Sequence, residues 1–258
     1  MIFNEMTRPE LNVVDKNAIV VLPLGSTEQH GLHLPVNTDT KTVEAISREL
    51  EHRLPDKVLL APTNWLGHSP HHLEFGGTIS LNYNIYSAML IEIIECFRAM
   101  GYQKILMLNG HGGNGMPMSI AQQEMKLRDP KLMLCACNYW ELARNEILSI
   151  REGGKYAMGH ACEMETSLYM FLDEANVRKS EIRDAGWTFN ENYFGYGMFN
   201  GGPVSYLANF NEISDTGAFG APSFASYEKG EKLFSVISNA LKAFVIDFYN
   251  IEKMFEEK

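Results

Sequence analysis

Apolar residues follow two rhythms along the chain. Short unbroken runs at Ala18–Leu24, Lys57–Ala61, Lys104–Leu108 and Leu132–Cys137 give way to Gly, Pro or Asn, the pattern of strands buried on both faces of a central sheet. Between them lie stretches with helical spacing. Lys41–Arg53 repeats Val43, Ile46 and Leu50, and Ile85–Met100 repeats Ile85, Met89, Ile93 and Phe97. Gly115–Leu127 and Trp140–Ile150 read as helices, as does Ser226–Tyr249 with Leu233, Ile237, Leu241 and Phe244 on one stripe. Strand alternating with helix predicts an α/β fold: three layers, α/β/α, around a mainly parallel sheet, in one domain over residues 1–258. Ala185–Phe224 has aromatics and glycines without a period, which fits a pocket lid or a subunit contact.

Two of these strands end on side chains that bind metals. After Leu24 the chain reads G-S-T-E-Q-H-G-L-H-L-P-V-N-T-D-T, so Glu28 and His30 share a face if the backbone stays extended, and Asp39 opens the next helix. Asp39 fits an N-terminal cap as well as a bridging ligand. After Leu108 comes N-G-H-G-G-N, in which glycines on both sides of His111 free the backbone for a close approach. Imidazole combined with carboxylate suits zinc, manganese or ferrous iron better than calcium or magnesium. A third cluster, Gly159–Ser167, opens the apolar stretch Leu168–Leu172. Taken as the first turn of a helix, it sets His160 and Glu163 on one face and turns Glu165 elsewhere, although both carboxylates also suit a helix N-terminus.

Together the three clusters resemble the signatures of the creatininase (creatinine amidohydrolase) family: L-P-L-G-S-T-E-Q-H-G-L-H-L-P, N-G-H-G-G-N and G-H-A-C-E-M-E-T-S, in that order. Gly76–Leu81 and Ala225–Glu231 extend the resemblance over most of the chain. It implies a creatininase-like fold and two divalent ions. Asp39 would bridge them, with Glu28 and His111 on one and His30 with a further carboxylate on the other. Creatininases carry a Glu two residues after the histidine matching His111, where this chain has Gly113, and an apolar residue where it has Glu163. Glu163 is therefore the expected replacement, with Glu165 the other candidate. By the same resemblance His160 moves protons, and Trp140, Tyr156 and His72 line the substrate pocket. Tyr156 stands for a tryptophan and Gly159 for a Glu, changes that point away from creatinine itself. The implied reaction is hydrolysis of a small, cyclic amide. Cleavage of a formamide, trimming of a peptide or opening of a cyclic polyol ketone are the alternatives within the family, and a metal-dependent binding protein without turnover is the rival outside it. The family also implies a homo-oligomer, often a hexamer.

Composition narrows the partners. A net charge of −10 without a basic patch argues against nucleic acid and anionic membranes. No apolar run approaches the ~18–20 residues of a membrane span, and Met1–Glu10 does not read as a signal peptide, so the expected compartment is the cytoplasm. Cys96, Cys135, Cys137 and Cys162 lack the C-x-x-C spacing and read as packing residues. His68, His71 and His72 lie in a Gly- and Pro-rich loop that reads as pocket wall rather than as a second metal site. Disorder is expected only at Glu256–Lys258.

Overall fold

The computed structural model describes residues 1–186, 193–195 and 197–252. The expected disorder at Glu256–Lys258, and the aromatic residues of the irregular segment at 187–192 and 196, lie outside these. Four strands form one parallel sheet: β1 (Ile19–Leu24), β2 (Val58–Leu60), β3 (Lys104–Asn109) and β4 (Met133–Asn138), in the order β2-β1-β3-β4. Among the described residues the helices are α1 (Arg8–Val13), α2 (Thr38–Arg53), α3 (Tyr83–Ala99), α4 (Gly115–Arg128), α5 (Arg144–Ile150), α6 (Glu163–Asp173), α7 (Phe210–Ile213) and α8 (Tyr227–Asn250), beside short 3-10 turns.

The strand pleat sorts the core into two layers. Ile19 and Val21 of β1, with Leu106 and Leu108 of β3, pack with α2, α6 and α8 through Val43, Ile46, Leu168, Leu233 and Ile237. Val20, Leu22, Leu24, Ile105 and Met107 point the other way, onto Tyr86, Leu90 and Ile94 of α3 and Met118 and Met125 of α4. Each such side chain, fully buried, contributes roughly 1.5–3 kcal/mol, which explains why β1 and β3 contain no polar residue before their last position except Lys104. The Lys104 ammonium escapes the core to the Tyr249 carbonyl.

Connections through α2 and α4 leave β1 and β3 toward opposite faces. The sheet order therefore reverses between these two strands, and a crevice opens beyond their carboxyl ends. One expected helix is shorter than the sequence pattern suggests. Trp140–Ala143 forms turns and α5 begins only at Arg144, because Tyr139 and Trp140 are drawn into the core edge-to-face at 4.9 Å as the chain leaves β4.

Candidate metal centre

The crevice is a cavity of about 670 Å³ lined by Glu28, Asp39, His72, His111, Trp140, His160, Glu165 and Phe210, among others. Glu28 and His30 arrive on the loop after β1, Asp39 in the first turn of α2, and His111 directly after β3. All four are buried. His111 Nδ1 lies 3.1 Å from Glu28 Oε1 and 3.2 Å from Asp39 Oδ2, while His30 Nε2 lies 3.0 Å from Asp39 Oδ1. The Asp39 carboxylate thus sits between two histidines, with one oxygen toward each.

Backbone carbonyls, which can only accept, decide where the ring protons lie. His30 Nδ1–H donates to the Glu28 carbonyl at 3.1 Å, leaving the Nε2 lone pair toward Asp39. His111 Nε2 reaches the His68 carbonyl at 3.2 Å and Ser69 Oγ at 3.0 Å, leaving its Nδ1 lone pair toward the two carboxylates. Such outer hydrogen bonds orient metal-binding imidazoles. Lone pairs then face carboxylates across about 3 Å, and Glu28 Oε1 and Asp39 Oδ2 are buried without a hydrogen bond. Buried acceptors gathered this way require a cation. With protons as the only cations, burial pushes the His30 imidazole down, but Asp39, Glu165 and Glu28 outweigh it and hold it at about 10. His111 is likewise raised well above its ordinary value against the pull of burial, by Glu28 and Asp39. The residues fit divalent ions on these grounds, and His30, His160 and Glu165 form a second group whose ligand atoms lie within 4.8 Å of one another, beside Glu28, Asp39 and His111.

Glu163 is not in either group. The assignment by helical spacing placed His160 and Glu163 on one helix, but α6 begins only at Glu163, with Cys162 as its cap and Ala161 at φ +48°. His160 stands outside the helix, bridged to Phe219, so the i,i+3 relation does not apply. The Glu163 carboxylate turns away to Lys229 Nζ at 2.6 Å and accepts from the backbone N–H groups of Glu152 and Gly153, both at 2.9 Å. Glu165 faces the cavity instead, while its Oε2 accepts from Cys162 N–H at 3.2 Å and caps the helix. Burial pushes the Glu165 carboxyl up to about 7. A side chain at Gly113 is excluded, since a Cβ there would lie 2.2 Å from the His68 carbonyl and 2.4 Å from His111 Nε2.

His160 lies at the centre, its Nε2–H donating to the Gln29 carbonyl at 2.8 Å and its Nδ1 3.6 Å from Glu28 Oε1. Burial pushes this imidazole well below its ordinary value. Trp140 lines the cavity wall, and His72 is buried beside Glu28 and His160. Tyr156 is not on the wall. It sits on a half-buried turn with its ring beside the Lys155 ammonium, and Gly159 and His160 line that stretch instead. His71 lines the cavity too, at a pKa burial lowers to about 4. Sequence reasoning missed Gln29, Ser69 and Phe210. It also missed Asn109 and Asn114, which lace the His111 loop to Gly25 and Asn138. The signal for Asn109 and Asn114 was their place inside N-G-H-G-G-N, read for its histidine alone.

A family model described as creatininase, creatinine amidohydrolase, matches residues 4–245. The chain belongs to the creatininase family. It is thus a creatininase-family hydrolase, and its relatives within the family differ in what they cleave. The mycofactocin precursor peptide peptidase of Mycobacterium tuberculosis is 30% identical over 84% of this chain and 80% of its own length. The 3-dehydro-scyllo-inosose hydrolase of Thermotoga maritima is 25% identical over 95% of this chain and 82% of its own. A creatininase structure whose name includes manganese superposes with a TM-score of 0.81 at 20% identity, covering 97% of this chain and 99% of that one, and carries the same creatininase fold. Among the described residues no helix is long and apolar enough to cross a membrane.

Proposed function

We propose that this creatininase-family hydrolase is a two-metal enzyme that hydrolyses a small amide, with Glu28, Asp39 and His111 holding one divalent ion and His30, Asp39 and Glu165 the other. The observation that carries this reading is the pair of buried acceptor oxygens without hydrogen bonds, Glu28 Oε1 and Asp39 Oδ2, set among imidazole lone pairs. Zinc, manganese or iron suits this donor set. When bound, such ions make water acidic enough to act as a nucleophile near neutral pH and polarise a carbonyl. The chain supplies the rest. His160 holds its ring proton at Nε2 against the Gln29 carbonyl, so Nδ1 is the atom free to take a proton from the attacking water and return it to the leaving nitrogen. Trp140 and Phe210 give the cavity apolar surface beside the position of the reacting carbonyl.

A second reading, trimming of a peptide, is favoured by the cavity's size and by the peptidase among its relatives. Both readings use attack on a carbonyl carbon, as would hydrolysis of a formamide or of a cyclic ketone. Turnover of lactams, formamides, short peptides and cyclic polyol ketones, assayed with added Mn²⁺ or Zn²⁺, tests them. Turnover of lactams alone supports the small-amide reading, peptide turnover replaces it, and bound metal without turnover of anything refutes both. The enzyme is read as a cytoplasmic homo-oligomer, a hexamer by family resemblance, which light scattering on the purified protein checks.

A further inference from the structure

The Gln29 side chain is buried beside the centre and has every polar atom engaged. Its Oε1 accepts from the Gly31 backbone N–H at 2.9 Å, and its Nε2 donates to the Gly217 carbonyl at 2.8 Å. A backbone N–H can only donate and a carbonyl can only accept, so the orientation of this amide is decided. Gly217 is required for the contact, since its φ is +79° and a Cβ there would lie 2.1 Å from Gln29 Oε1. The second Nε2 hydrogen then falls to His72 Nδ1, also at 2.8 Å. His160 Nε2 is farther, at 3.3 Å, and already donates to the Gln29 carbonyl.

His72 Nδ1 must therefore accept, which leaves the ring proton on Nε2. That N–H faces Glu28 Oε1 at 3.4 Å, a separation that leaves the donor largely unspent, and His72 lines the cavity. The Phe210 ring, 4.1 Å away between centroids, and the His160 ring at 4.3 Å pack against the imidazole.

We propose that Gln29 is a positioning residue that fixes His72 as an Nε2–H donor, and that His72 is a catalytic residue whose N–H hydrogen-bonds the substrate's carbonyl oxygen as negative charge builds on it. No proton is transferred in this contact. The proposal deepens the hydrolytic reading above and rests on it. It also removes His72 from the metal ligands, although Glu28, His72 and His160 lie close enough together to suggest a third cluster.

Two measurements test it. Nitrogen-15 NMR of histidine-labelled, zinc-loaded protein identifies the protonated ring nitrogen directly: Nε2 is expected for His72, and a proton on Nδ1 overturns the proposal even if no variant folds. In kinetics, His72→Leu is expected to lower kcat about 10²–10³-fold, the usual loss for one oxyanion donor, with KM within a few-fold and metal content unchanged. His72→Gln, which keeps an N–H donor, should recover at least tenfold of that loss. Loss of metal in both variants, or no rescue by Gln, overturns the proposal. Wild-type protein that hydrolyses nothing in the panel would defeat the functional reading and with it the donor's task, while the ring spectrum still decides Gln29's hold on His72.

Discussion

Removing Glu163 and removing Glu165 should have opposite consequences, although the two carboxylates are two residues apart on one helix. Glu163 is fully buried and meets Lys229, itself almost buried, whose other carboxylate contact is Glu152 Oε2 at 3.3 Å on a side chain that is 67% exposed. Glu163→Ala leaves that ammonium in the interior with only this solvent-exposed partner and the Phe224 carbonyl, and orphans the Glu152 and Gly153 N–H groups. Breaking a buried pair from one side costs roughly 3–5 kcal/mol, and the remaining Glu152 contact places this case near 3. At roughly 2–4 °C per kcal/mol for a chain of this size, the melting midpoint should fall by about 6–12 °C. Metal content should stay at two ions per chain. Glu165→Ala should lower metal content toward one ion per chain, and in chelator should cost far less than Glu163→Ala, about 1 kcal/mol or roughly 2–4 °C in the midpoint, for the lost acceptor of the Cys162 N–H. Differential scanning calorimetry in EDTA, with elemental analysis after dialysis against Mn²⁺, reads both quantities. A Glu163→Ala protein that loses metal while keeping its midpoint would refute the assignment.

Three further expectations follow from the same geometry. His160→Gln should cost about 10²–10⁴ in kcat while both ions remain, as elemental analysis beside initial rates will show; loss of metal would make His160 a ligand instead. Gly113→Ala should weaken metal binding about 10–100-fold by pushing the His68 carbonyl from His111, with circular dichroism unchanged, and unaltered affinity in metal titration would argue against that coupling. In the ion-free protein His30 is held at about 10, above its ordinary value of about 6.5, so the stability this proton contributes is complete below about pH 6.5 and is lost as pH rises through 10. Urea midpoints in EDTA should therefore fall from pH 7 to 10, and those of the Mn²⁺-loaded protein should fall less; parallel slopes would remove His30 from the centre.

Much of the fold was legible because its signal is local. The runs in β1 and β3 are apolar on both faces, and the stripe Leu233, Ile237 and Leu241 of α8 lies buried against one side of the sheet. The motif residues Glu28, His30, Asp39 and His111 converge because each follows a strand end or opens a helix on the same edge of the sheet, and His160 joins them from the irregular stretch between α5 and α6. The choice between Glu163 and Glu165 needed the phase of α6 to within two residues, and that phase is set by Ala161 in the left-handed region, which leaves no mark on the apolar pattern. Tyr156 failed as a wall residue for a related reason, because a turn's direction depends on what it packs against. Gln29 and Phe210 were unreadable because their partners, Gly217 and His72, lie far away in sequence. Phe210 in particular comes from a stretch without period, whose neighbour Leu207 is 91% exposed.

The contact from Gln29 to Gly217 closes over 188 residues, and His160 meets Phe219 in the same neighbourhood. During synthesis the first three-quarters of the polypeptide holds all four strands, yet it lacks α8, which covers one face of the sheet, the carbonyl that holds Gln29, and Phe210, which packs on His72 and His160. A ribosome-bound or prematurely terminated product would thus carry the proposed ligands without the contacts to Gln29, His72 and His160 that the last quarter supplies. Order of translation would then act as a safeguard: the proposed hydrolytic site is completed only once the segment carrying Phe210, Gly217 and Phe219 has emerged and docked.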